Sequence, residues 1–287
     1  MTNLFPLLSI AMTNHLRTPA ALIGTILIIV ALAGIARLLW GLLPIGVPPS
    51  DMVLVPAGEF IMGDQEGNPD EWPARRVYLE AFYIDRYPVT NAQYVQFLNA
   101  VGGPAGQCGG HVCLDTQAEN PDSRMLYRQR RYVVEAGYEQ HPVTGVSWYG
   151  AQAYCQYYGR RLPTEAEWEK ATRGTDGRAY PWGDRFDPHR LNSDYRIGDT
   201  TPVGDYPAGV SPYGAYDMAG NVWEWVADWY RAYPGSHYQS PFCGEKYKVV
   251  RGGSWNHPDG DARTTRRDIA HPARCIHVVG FRCAREP

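Results

Sequence analysis

The chain has 287 residues, a formal net charge of -3, 44% apolar residues and 20% charged residues. This near-neutral balance gives no electrostatic case for nucleic-acid binding, and the apolar share is too high for a disordered chain. Twenty tyrosines, nine tryptophans, thirty glycines and twenty-three prolines describe a loop-rich domain plugged by aromatic side chains.

After an N-terminal segment, 1–18, the stretch "PAALIGTILIIVALAGIARLLWGLL" is apolar or small except for Arg37. A helix over 20–43 is long enough for the bilayer core, which takes roughly 20 residues. Arg37 can snorkel to the headgroups and Trp40 suits the interface. We therefore expect a transmembrane helix within 19–45, a Pro-Pro linker at 46–51 and one globular domain over 52–287. His15 and Arg17 precede the span and all six cysteines follow it. That arrangement places the domain outside the cytoplasm, periplasmic or extracellular, where disulfides persist. A signal peptide cleaved near "LAGIA" is the alternative.

Within the domain, "MVLVPAGEFIMG" predicts strands around a Pro-Ala-Gly turn, and 76–90 alternates apolar and polar residues. Thr90 and Gln93 have capping-box spacing ahead of a helix whose apolar face is Tyr94, Phe97, Leu98 and Val101. Residues 102–140 form a long excursion carrying Cys108 and Cys113. A second helix opens at Ser147 and closes at Gly159, and a third follows Thr164 and Glu167, again in capping-box spacing. From 175 to 250 we expect mostly loops around the apolar-aromatic run "AGNVWEWVADWY", and "GFRCAREP" predicts one final strand. There is no fixed-period repeat. The fold class is α+β, and no CxxC pair suggests a zinc knuckle or redox motif.

Eight segments in order carry a family resemblance: "VPAGEFIMG", "YPVTNAQYVQFL", "HPVTGVSWYGAQAYC", "GRRLPTEAEWEKATRG", "YPWGD", "GAYDMAGNVWEWVADWY", "VVRGGSW" and "GFRCA". Together they closely resemble the formylglycine-generating enzymes, or sulfatase-modifying factors, over about 52–285. The resemblance implies a single domain related to the C-type lectin fold and poor in regular structure. It also implies oxidation of a sulfatase cysteine to formylglycine by copper held between two cysteines.

Carried over residue by residue, the resemblance implies a calcium site at Asp217, Glu224 and the carbonyls of Gly220 and Val222, since hard cations take mixed carboxylate and carbonyl oxygens. A turn whose carboxylates cap backbone N–H groups is the plainer reading of that loop. A second calcium would take Asn192 and the Ser193 carbonyl, completed by Asp194 or Asp199. The copper cysteines should stand three and eight residues after the serine of the Gly-Gly-Ser turn. That serine is Ser254, and those positions hold His257 and Ala262. An imidazole and a methyl group do not make a two-thiolate copper site, so no copper is expected. No activating base beside Ser254 is visible in the sequence.

Arg263, Arg266, Arg267 and Arg274 surround this turn. They would grip a carboxylate, a sulfate or an acidic peptide, or pair internally with Asp259, Asp261 and Asp268, which we prefer. The resemblance implies a Cys155–Cys283 disulfide. Cys108 with Cys113 closes a small loop, leaving Cys243 with Cys275 by elimination, and a second family disulfide is lost at Thr172 and Arg267.

The expectation is a membrane-anchored, extracytoplasmic, non-catalytic family member. It would act as a structural or binding subunit of an integral membrane protein complex, with Trp223, Trp255, Ser254, His257 and the arginines at the partner surface. The alternatives are an oxidoreductase working through an unrecognised centre and a calcium-dependent lectin-like receptor.

Overall fold

Side-chain caps set all three helix starts in the computed structural model, which describes residues 51–101 and 107–287. Thr90 N–H donates to Gln93 Oε1 at 2.9 Å and Gln93 N–H returns to Thr90 Oγ1 at 3.3 Å, opening α1 (Asn91–Val101). Ser147 Oγ accepts from Gly150 N–H at 3.1 Å, opening α2 (Trp148–Tyr157). Thr164 and Glu167 form the reciprocal pair that opens α3 (Glu165–Arg173). Each cap satisfies backbone donors that the first helical turn leaves unpaired. Among the described residues no helix is long and apolar enough to cross a membrane. The span expected at 20–43, with the segment and linker around it, lies outside the described residues.

Strands β1 (Met52–Val55) and β4 (Phe82–Asp85) pair antiparallel, and β2 (Gly58–Met62) and β3 (Arg75–Leu79) form a hairpin between them. The predicted excursion contains two small hairpins, β5 (Gln107–Cys108) with β6 (His111–Val112), and β7 (Met125–Arg128) with β8 (Arg131–Val134). A four-stranded sheet is ordered β11 (Arg267–Ala270), β10 (Lys248–Arg251), β9 (Trp223–Trp229), β12 (Val279–Phe281). The expected single final strand is two: β12 runs parallel to β9, whereas β13 (Ala284–Arg285) joins β4 in the other sheet. Arg282 and Cys283 make the crossing between sheets. Arg282 is fully buried and donates to the carbonyls of Asp85 and Tyr216.

Cys283 bonds to Cys155 on α2, closing a sequence separation of 128 residues. Such a bridge stabilises by about 2–4 kcal/mol. Cys108 bonds to Cys113 across β5 and β6. The remaining pairing reached by elimination is wrong: Cys243 and Cys275 are both free. Cys243 packs against the cluster of Val53, Phe82 and Trp168, whereas Cys275 hydrogen-bonds Asp115.

A buried charge cluster joins α3 to the large sheet. Arg251 donates to Glu165 and Glu169, each at 2.7 Å, and Arg267 donates to both Glu165 oxygens at 2.7 and 3.1 Å. Arg173 adds a bond to Glu169 at 3.1 Å. Removing one member of such a cluster leaves an uncompensated buried charge. Arg267→Met should therefore lower unfolding free energy by about 3–5 kcal/mol, with Glu165→Gln/Arg267→Met recovering part of the loss in urea titrations. An Arg267→Met variant as stable as the parent would show the cluster to be dispensable.

Asp85 provides a second measurable consequence. Burial, offset in part by Arg160 at 2.6 Å and by the Cys283 N–H, pushes its carboxyl up to about 7. The folded state thus holds a proton that the unfolded state releases near pH 4. The Asp85 contribution to stability is complete below that point and is lost as pH rises to about 7. Between pH 4 and 7 the parent should lose about 1–4 kcal/mol relative to Asp85→Asn. Parallel urea curves across that window would contradict the assignment.

Candidate functional site

The Gly-Gly-Ser turn leaves β10 directly after Arg251. Gly252 and Gly253 have φ of 100° and 77°. A Cβ on Gly252 would lie 3.1 Å from the Trp168 ring, and one on Gly253 would lie 3.0 Å from the Asp261 carbonyl. Both glycines are needed, for conformation and for close approach. Ser254 follows, fully buried.

Its hydroxyl is 2.7 Å from His257 Nδ1 and 2.9 Å from Asn256 Oδ1, and those two atoms are 2.7 Å apart. No base beside Ser254 is visible in the sequence, but the turn folds His257 back onto it. The three-residue spacing inside a Gly-Gly turn was the available signal. This is a hydroxyl–imidazole pair without an exposed nucleophile. Trp223 meets the His257 ring edge-on at 5.6 Å, and its buried indole N–H has no hydrogen-bond partner. Ala262, at the other position where the resemblance implies a copper cysteine, is buried with Leu191 and Ala219 in an apolar cluster. Trp255 is half-buried and lines a pocket of about 140 Å³ with Arg124, Asp199 and His277.

The arginines near the turn are taken by internal partners. Arg263 holds both Glu71 oxygens at 2.8 and 2.9 Å, Arg266 holds Asp261 at 2.7 Å, and Arg267 holds Glu165. Only Asp261 was among the three partners expected. Asp259 pairs with Arg196 at 2.6 and 2.7 Å, and Asp268 accepts from the Ile269 N–H. Arg274 is exposed and makes no ion pair among the described residues. A continuous arginine surface for an anion is therefore not what the fold presents here.

The calcium loops fit a cation unevenly. Asn192 Oδ1 is buried without a hydrogen-bond partner, which suits a hard-cation ligand. Its Nδ2 donates to the Asp199 carbonyl at 2.8 Å. The Asn192 carbonyl accepts from the Asn221 N–H at 2.7 Å and would lie 2.4 Å from a Cβ on Gly220, so the two loops are in contact. Asp217 accepts from the Gly204 N–H at 2.7 Å, and burial pushes its carboxyl up to about 6. Glu224 is already neutralised: Arg282 binds both its oxygens at 2.7 Å and Trp168 Nε1 adds a bond at 2.8 Å. The Ser193 carbonyl accepts from Arg196. Asp199 turns to Arg124 and Tyr138, while Asp194 is mostly exposed, 3.8 Å from Arg196. The fit to calcium is thus good at Asn192 and Asp217 and poor at Glu224. Among the described residues no group of three or more His, Cys, Asp and Glu side chains forms a metal site.

The sulfatase-modifying factor enzyme 1-like domain model matches residues 45–287. The chain is 40% identical over 244 residues to the serine/threonine-protein kinase pkn1 of Chlamydia caviae, covering 82% of this chain but only 38% of that protein's length. It is 33% identical to the formylglycine-generating enzyme of Bos taurus, with 83% and 75% of the two chains covered. To the inactive C-alpha-formylglycine-generating enzyme 2 of Mus musculus it is 35% identical, with 81% and 85% covered. The family therefore includes relatives named as active and as inactive. A model matching nearly all of the described fold, and two relatives matched over most of their length, make this chain a member of the sulfatase-modifying factor enzyme 1-like domain family.

Proposed function

We propose that this chain is a non-catalytic member of its family. It is anchored in a membrane through 20–43, holds its domain outside the cytoplasm, and serves as a structural or binding subunit of an integral membrane protein complex. The observation that carries the reading is the pair of positions three and eight residues after Ser254. One is an imidazole held by Ser254 and Asn256, and the other is a methyl group in an apolar cluster. Neither supplies a thiolate, and Ser254 itself is enclosed. The partner surface is the face around half-buried Trp255 and His257, whereas Trp223, expected there from the sequence, is buried beneath it at 2% exposure.

Affinity purification of the full chain from its own membranes should recover an integral membrane complex in stoichiometric yield, with no aldehyde formed on a Cys-x-Pro-x-Arg peptide supplied with copper. A chain that purifies alone and converts the peptide would replace this reading with an oxidase.

The same reading takes calcium as a structural ion at two sites, one formed by Asp217 and Glu224 with the Gly220 and Val222 carbonyls and a second by Asn192 with the Ser193 carbonyl. Glu224 would have to share its charge between the ion and Arg282. An ion bound only to the folded state stabilises by about 2.7 kcal/mol at a hundredfold excess over Kd. Calcium added back after chelation should therefore raise Tm by about 5 °C or more, and Asn192→Ala should remove much of the rise. An unmoved Tm, with no calcium retained in elemental analysis, would exclude the ion.

A further inference from the structure

The β7–β8 hairpin breaks local rules at one point. Its turn residues, Gln129 and Arg130, have φ of 50° and 62°. Two-residue turns of this kind favour Asn-Gly, because other side chains resist the left-handed region. Arg128 and Arg131 stand directly opposite each other in the ladder, where like charges repel. Arg128, Arg130 and Arg131 are all exposed, and none makes an ion pair with a described residue. Arg124, by contrast, at the base of the hairpin, is paired with Glu135 and Asp199. Strain, repulsion and missing counter-charge together leave the tip suited to an anion from outside.

Beside this tip lies a pocket of about 580 Å³ whose walls include Val112, Leu114, Ala118, Leu126, Tyr127 and Arg128. Arg128 thus belongs to the charged tip and to the pocket wall. Among the polar side chains of the lining, Asp115, Thr116, Gln117 and Glu119 are already engaged. Glu119 accepts from the Thr116 N–H at 2.8 Å and from Thr116 Oγ1 at 2.5 Å, Gln117 donates to Glu135 at 3.1 Å, and Asp115 is bonded by Cys275. A peptide backbone buried here would find few partners for its own N–H and C=O groups, whereas an alkyl chain needs none.

We propose that the hairpin and its pocket bind an acidic phospholipid, the anionic headgroup on Arg128, Arg130 and Arg131 and an acyl chain in the pocket. The pocket volume suits one such apolar moiety. Exposed Tyr127 and Val133 add an interfacial surface. The site shares no residue with the Ser254 turn and stands whether or not the chain is a complex subunit.

The test is hydrogen exchange on the full chain in phosphatidylcholine bilayers, with or without a minority of phosphatidylglycerol. Amides of 125–134 should exchange about 10-fold or more slowly when the anionic lipid is present, as three arginines at an anionic leaflet predict. The slowing should be lost in Arg128→Gln/Arg130→Gln/Arg131→Gln and also in Ala118→Trp, which fills the pocket from an exposed position. Amides of β9 and β10 report that both variants fold. The pure phosphatidylcholine arm reports anchoring by itself, so a failure there is separate from a failure at the hairpin. Slowing that survives Ala118→Trp would reduce the site to surface charge and overturn the proposal. Slowing produced equally by soluble hexaglutamate would assign the hairpin to an acidic protein segment instead, and no slowing in any arm would end it.

Discussion

Two guanidinium groups closing on the Glu165 carboxylate are the contact on which the centre of the molecule rests. Burial alone would push that carboxyl up, but Arg267 and Arg251 together outweigh it and hold it below the ordinary range. A buried ion cluster is costly to desolvate and becomes tolerable only when each member is hydrogen-bonded. Here the arginines also reach backbone: Arg251 donates to the Thr264 carbonyl, leaving only its Nε without a partner, and Arg267 donates to those of Asp70 and Arg231. The cluster therefore fixes α3, β10, β11 and the 70 and 231 loops against one another. Because Arg251 is the last residue of β10, it also fixes where the Gly-Gly-Ser turn begins. Trp168, one turn along α3 from Glu165, packs against Gly252 and donates to Glu224. The candidate site and Glu224 thus hang from the same helix.

That arrangement explains why part of the molecule was legible in the sequence. Capping boxes are local: Thr90 with Gln93, and Thr164 with Glu167, need only a three-residue spacing and appear as read. The ordered segments around the Gly-Gly-Ser turn likewise announced the family. Partners distant in the chain did not show. Glu165 lies 102 residues from Arg267, and Glu71 lies 192 from Arg263. An arginine carries no mark of which carboxylate it will meet, so nearby aspartates looked like the natural partners. The same blindness made Cys243 and Cys275 a pair by subtraction, although one belongs with Trp168 and the other with Asp115. It also hid the break between β12 and β13, where a single apolar run serves two sheets because buried Arg282 turns the corner.

Charge satisfaction also separates the surfaces that can act from those that cannot. Around Ser254 three of the four arginines, Arg263, Arg266 and Arg267, turn to internal carboxylates, so their number says little about ligands. At the 125–134 hairpin there are fewer arginines, but their counter-charges are missing. Among charges of one sign, the informative quantity is the one left uncompensated, not the local count. Composition favoured the wrong cluster because arginine is common throughout this chain and pairing is invisible in one dimension.

The fate of the thiols completes the chemical argument. Four of the six cysteines are oxidised in two bridges. For the family's reaction to have moved elsewhere in this chain, a free cysteine would need a depressed pKa and access to substrate. Cys275 meets neither condition well. Burial, and then the neighbouring Asp115 carboxylate, push its thiol up to about 12, so it stays protonated at neutral pH. Asp115 accepts its hydrogen, which favours the thiol over the thiolate. The positions three and eight residues after Ser254 hold groups that fix shape, an imidazole braced by Ser254 and a methyl packed on Leu191. The free thiol of Cys275 is tuned away from reactivity. The two bridges, the helix caps and the buried charges thus hold the shape around Ser254 with no thiol at either of those positions.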